Sequence, residues 1–194
     1  MTRPINVAGG LRLISRPLRW VKQMGKLTLI LGVLLVPVTL SAADARPLIS
    51  REALKYAQAW QRSDFRTIVS YLPPRVVQQS GGRAALVAEF KDKFAQARAL
   101  GATDLRTTLG RPTVPKQIGR WLASVFPVTA VVQSSHLELT QDSQVLALSA
   151  DQGNQWFFVL LYEVTQEEMI AWFPEFRGKI FVPTPPSPRM KIVY

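Results

Sequence analysis

The sequence predicts an α+β domain in which the helices come first and the antiparallel strands follow. Two observations carry that prediction. From Ser50 to Gly101, apolar residues recur at every third or fourth position, the period of a helix with one buried face. From Leu105 to Glu163 they recur at every second position between turn-forming clusters, the period of half-buried strands.

Each element follows from local chemistry. Ser50 is placed to cap a first helix, with Glu52 near its positive dipole end and Ala53, Leu54, Ala57 and Trp60 on one face. Ser63 is placed to cap a second, carrying Phe65, Ile68, Val69 and Leu72. Pro73-Pro74 ends it, because proline lacks the amide donor. After the Gly81-Gly82 break, Leu86, Val87, Phe90, Phe94 and Ala97 form a third stripe, and Gly101 terminates it. The strands then begin with Leu105, Thr107 and Leu109, and Pro112 and Pro115 mark a loop. Trp121 to Val132 is β-rich, with Pro127 implying an edge or a bulge. Leu137 and Leu139 alternate with His136, Glu138 and Thr140. Gln141-Asp142-Ser143 reads as a turn, Val145 to Ser149 as a strand, and Gln155 to Glu163 as the last strand. Thr165-Gln166-Glu167-Glu168 is a capping box opening a short helix that Pro174 stops. A Pro-rich extended tail runs from Pro183.

The N-terminal segment has a different character. Residues 27–40 are fourteen uncharged, mostly apolar positions preceded by Lys22 and Lys26 and followed by small residues. This is the pattern of a signal peptide with cleavage near Ala43 or Ala45. The run is short for a membrane span, which needs about 20 residues, and Pro37 interrupts it. The expected location is therefore periplasmic or secreted, with an uncleaved inner-membrane anchor as the alternative. Met24 is a second candidate start. The expected organisation is a leader over 1–45, a domain over 46–182 and a tail over 183–194.

Composition narrows the chemistry. At 47% hydrophobic residues the chain can bury a core. The absence of cysteine excludes disulfides, thiolate catalysis, Cys-based zinc or iron–sulfur sites and a lipidated-cysteine anchor. Of 24 basic and 13 acidic residues, six and one lie before Arg46, so 18 and 12 remain and leave the domain at +6. These cations are scattered rather than striped, so no nucleic-acid role is expected. Nothing matches a phosphate loop, a dinucleotide fingerprint or an EF-hand, so no cofactor is expected. His136 is the only histidine, which leaves no His–His metal pair.

Four stretches carry a resemblance to a known family. They are AQAWQRSDFRTIVSYLPP (Ala57 to Pro74), GGRAALVAEF (Gly81 to Phe90), DSQVLALSADQGNQWFFV (Asp142 to Val159) and TQEEMIAWFPEF (Thr165 to Phe176). Together they resemble the nuclear-transport-factor-2-like superfamily, the cone fold shared with polyketide-cyclase-like proteins, and its small exported bacterial members. The resemblance covers most of residues 48–185. It implies three N-terminal helices packed on a strongly bent antiparallel sheet of about four strands, then a short C-terminal helix and the Pro-rich tail. One departure is Val159-Leu160-Leu161-Tyr162, where a short polar link would be usual, so the last strand is expected to run longer or bury more.

The resemblance implies a pocket inside the cone. Tyr56, Trp60, Phe90, Trp121 and Phe158 are its candidate lining residues. Catalytic members of the superfamily hold a buried acid or base there, often with a Tyr or Trp donor. Tyr56, Trp60, Tyr71 and Tyr162 are candidate donors, and His136 with Glu138 is the candidate acid–base pair. His136 is nonetheless expected on the wetter strand face, opposite Leu137 and Leu139, and Asp64 and Asp104 at element ends. The sequence thus favours a non-catalytic exported module binding an apolar ligand or an envelope protein. A small lyase or isomerase and a membrane-tethered interaction protein are the alternatives. A homodimer through the sheet is open. Membrane contact is expected only through an uncleaved leader.

Overall fold

Helix α1 (Ala45–Gln61) is the first element of the computed structural model, which describes residues 45–184 and 186–193. The expected signal segment over 27–40 and the expected cleavage near Ala43 lie outside the described residues. Ala45, Ile49, Ala53 and Tyr56 form the buried stripe of α1, spaced as one helical face requires, while Leu54 is left 54% exposed. The expected Ser63 cap is corrected by one residue. Ser63 takes a left-handed backbone (φ 55°) that reverses the chain, and Asp64 caps α2 (Phe65–Ser70) by accepting from the Thr67 amide at 3.2 Å.

Among the described residues four helices, not three, precede the strands. Pro73-Pro74 ends the α2 segment and also opens α3 (Pro74–Gln79), because proline in the first helical turn forfeits no bond. Helix α4 (Arg83–Ala99) follows, and Gly101 leaves it at φ 93°, a conformation that suits glycine.

The sheet is antiparallel, six-stranded and strongly curled into a half-barrel. Its two long central strands are β3 (Trp121–Ser134) and β4 (Leu137–Ser149). On one side β1 (Ala102–Leu109) and β2 (Lys116–Ile118) share the edge of β3. On the other, β5 (Phe157–Leu160) and β6 (Arg189–Ile192) share the edge of β4. A bulge between Ala102 and Asp104 marks the start of β1, and bulges increase local twist.

Two expectations about strands are corrected. Gln141-Asp142-Ser143 is not a turn but the middle of β4, paired opposite Ala130, Thr129 and Val128. Cross-strand bonding stabilises it: Thr129 Oγ1 donates to Asp142 at 2.7 Å, and Arg189 from β6 reaches the same carboxylate at 2.7 Å. The last strand is shorter than Gln155–Glu163, stopping at Leu160 before a 3-10 turn over Leu161–Glu163; Leu161 is buried there. The tail is extended as expected, and its Arg189–Ile192 stretch adds to the sheet as β6.

Pro127 sits in a central strand, yet its missing donor is tolerated. The flanking chain leaves β3 at that level: Gly110 donates to the Pro127 carbonyl at 2.8 Å, and the next contact is Thr113 to Val125. A Cβ on Gly110 would run into the Pro127 ring and come within 3.2 Å of its carbonyl oxygen. Gly110→Ala is therefore expected to destabilise the domain by about 1–3 kcal/mol, the usual cost of overpacking, read as a lowered denaturation midpoint. An unchanged midpoint would mean the loop moves aside freely.

Side chains on the two faces build two cores. On the inner face Phe126, Ala147 and Phe158 pack with Ile49 and Tyr56 of α1 and Ile68 of α2. On the outer face Trp121, Leu146, Leu148, Phe173 and Phe176 pack with Met169 of α5 (Gln166–Trp172). The expected capping box opens α5: the Thr165 hydroxyl accepts from the Glu168 amide at 3.2 Å, and Glu168 accepts from the Thr165 amide at 2.8 Å. No helix among the described residues is long and apolar enough to cross a membrane.

Two carboxylates tie elements together. Lys55, donating at 2.8 Å, foremost holds the Glu52 carboxyl below its usual value; the Tyr71 hydroxyl also donates to it, at 2.9 Å. Glu175 is held low by its own backbone amide and then by the Trp121 indole at 2.8 Å. A depressed carboxylate contributes stability that is present above its unfolded value of 4.5 and lost as pH falls through the folded value. The denaturation midpoint is therefore expected to drop below about pH 4.5. Glu175→Gln should flatten that drop. An acid profile identical in wild type and variant would remove Glu175 from the account.

Candidate ligand-binding cavity

The inner face of the curled sheet does not meet the helices everywhere. Between them lies a cavity of about 490 Å³, within the range of small-molecule sites. The strand period places its sheet wall. Phe126, Val128, Ala130 and Val132 of β3 alternate inward, with Leu105, Thr107 and Leu109 beside them on β1 and Leu139, Gln141, Ser143 and Val145 on β4. The helical wall comes from Tyr56, Ala57 and Trp60 at the end of α1 and Phe90, Phe94 and Ala97 on α4.

Aromatic contacts set the shape of that wall. Trp60 stacks on Phe94 with centroids 5.8 Å apart and meets Phe90 edge-on at 5.3 Å. Tyr56 stacks at 5.2 Å on Phe158, which lies wholly buried beneath it. Burial pushes the Tyr56 hydroxyl far up from its ordinary value, so it stays a neutral donor. Burial, together with adjacent Glu163, does the same for Tyr162, whose hydroxyl donates to Glu163 at 2.8 Å.

Charged groups gather at the rim. Lys93, Arg98, Asp104 and Glu163 all line the cavity, and all four are exposed. Lys93 pairs with Glu89 at 2.7 Å, and Asp104 lies 3.3 Å from Arg106. Among the described residues no cluster of His, Asp and Glu could hold a metal ion.

Of the residues singled out in the sequence, Tyr56, Trp60 and Phe90 line the cavity together. Trp121 and Phe158 do not. Trp121 faces outward, edge-on to Phe173 at 5.4 Å, and Phe158 is packed in the inner core. His136 and Glu138 are not brought together at the site either. His136 is exposed in the two-residue turn between β3 and β4, where its carbonyl accepts from Val193. Glu138 alternates with the inward-facing Leu139, so it points to the outer face, 3.7 Å from Arg106. The residues not named beforehand, Val128, Ala130, Val132, Leu139 and Val145, were readable as one alternating face. What concealed them was which face curls inward. Asp64, expected at an element end, is the α2 cap.

Fold and site together define the protein's class: an α+β half-barrel closed by helices around an apolar cavity with a charged rim. No family model, curated protein or solved structure matches the chain.

Proposed function

We propose that the chain is an exported, non-catalytic binding module of the nuclear-transport-factor-2-like kind that holds a small apolar molecule in this cavity. The observation that carries the reading is the cavity itself: about 490 Å³ walled mainly by Trp60, Phe90, Phe94, Leu105, Val128 and Leu160. Burying apolar ligand surface against such walls contributes roughly 25 cal/mol per Å². The curled sheet supports the family resemblance, and the apolar 27–40 segment supports export. Binding is favoured over a lyase or isomerase because the carboxylates on the wall, Asp104 and Glu163, sit exposed at the rim rather than deep beside the aromatics.

Titration with anilinonaphthalene sulfonate tests the reading. A saturable fluorescence rise, weakened by Trp60→Ala, is the expected result. A linear, non-saturating response would sink the binding reading. Turnover of an added substrate that disappears in Glu163→Gln would favour the enzyme instead.

A further inference from the structure

Leu109 and Phe126 belong to two hollows at once. They close the inner end of the cavity, and they also line a shallower groove of about 280 Å³ beside Ser50, Ala53 and Leu54 of α1. The groove runs along the loop after β1, where Gly110, Arg111 and Pro112 complete it. These two side chains are therefore a common wall between cavity and groove.

Burial gives the cavity a direction. Phe126 at its inner end is 1% exposed and Val145 2%, whereas Arg98 and Glu163 stand exposed at the rim. An apolar chain gains most by pointing toward Phe126. A polar end would lose its hydration there and so stays at the rim.

From this geometry we infer that the ligand is a single-chain amphiphile, and that Leu109 with Phe126 sets the longest chain the cavity accepts. The inference rests on the cavity being a binding site, as proposed above. Leu109 is the residue to vary: it is half-buried at the end of β1, whereas Phe126 is also part of the core. Leu109→Ala opens the wall toward the groove. Leu109→Phe thickens it. Leu54 lines only the groove, and at 54% exposure it tolerates enlargement.

The experiment uses the purified full chain and straight-chain fatty acids from octanoate to stearate, scored by displacement of anilinonaphthalene sulfonate. Affinity should rise about fourfold per added methylene until the chain meets the wall, and then stop rising. Leu109→Ala should move that stop to longer chains and Leu109→Phe to shorter ones. Adding Leu54→Trp to Leu109→Ala should move it back. Thermal midpoints confirm that each variant is folded. The same stop in wild type and in both folded Leu109 variants would overturn the wall. A wild-type series that rises without any stop would overturn it too. Dye binding with no displacement by any fatty acid would overturn the amphiphile and leave the binding reading standing. Failure of both dye and fatty acids to bind would remove the binding reading itself.

Discussion

Phe158→Ala is expected to destabilise the domain by about 3–5 kcal/mol, the usual cost of deleting a buried aromatic. Phe158 is wholly buried on β5 and touches three other rings: Tyr56 at 5.2 Å, Tyr71 at 5.5 Å and Phe126 at 6.2 Å. Its amide also donates to the Tyr71 carbonyl at 2.8 Å, so the strand and the end of α2 are fixed to each other at this point. Removing the ring leaves a hole bounded by two tyrosines and a phenylalanine, none of which can collapse without leaving its other partners. Such a loss is a large fraction of a domain's net stability, which is about 5–15 kcal/mol. Trp60→Ala is the informative comparison. From sequence alone, Trp60 belongs to the core stripe and should cost as much. In the structure it is half-buried and borders the cavity, so its loss should cost clearly less stability while weakening binding. Urea denaturation of both variants decides the matter. Equal losses would mean that Trp60 is packed like Phe158, and that the cavity is smaller in solution.

Ala130→Trp is expected to weaken dye binding by more than about tenfold, or roughly 1.4 kcal/mol, with no loss of stability. Ala130 is central on the inner face of β3, paired with Thr107 of β1 and Gln141 of β4. An indole there projects into open space rather than into packed atoms, so the cost of overpacking does not arise. It occupies the volume the ligand needs. Val131→Trp is the control, because the next residue on a strand points to the other face and should leave binding intact. Unaltered dye affinity in Ala130→Trp would place the dye elsewhere on the protein.

How much of this was legible in the sequence can be followed residue by residue. The α4 stripe of Leu86, Phe90 and Phe94 was readable because it is a plain helical period, and so was the Thr165–Glu168 capping box, because both partners lie three residues apart in one segment. The Gln141–Ser143 stretch was misread because polar residues in sequence resemble a turn, whereas Asp142 is held in a strand by Thr129 and Arg189, 13 and 47 positions away. Helix α3 was missed because Pro73-Pro74 signals both an ending and a beginning.

The site divides the same way. Tyr56 and Trp60 line the cavity from one face of α1, because residues four apart on a helix share a face, and Phe90 faces them from α4. Trp121 lies on the outer face, which aromatic identity does not reveal, and Phe158 lies on the inner face but is covered by Tyr56.

By itself the sequence determined the α+β class, the order of helices before strands, most element positions and the pairing of apolar residues into faces. These depend on local periodicity and on caps and turns within a few residues. Only the tertiary structure decided which face of β3 and β4 curls inward, how the tail joins the sheet as β6, and that Leu109 and Phe126 stand between cavity and groove. Those features depend on strand pairings and on the curl of a whole sheet against its helices, distances in the chain that no local pattern spans.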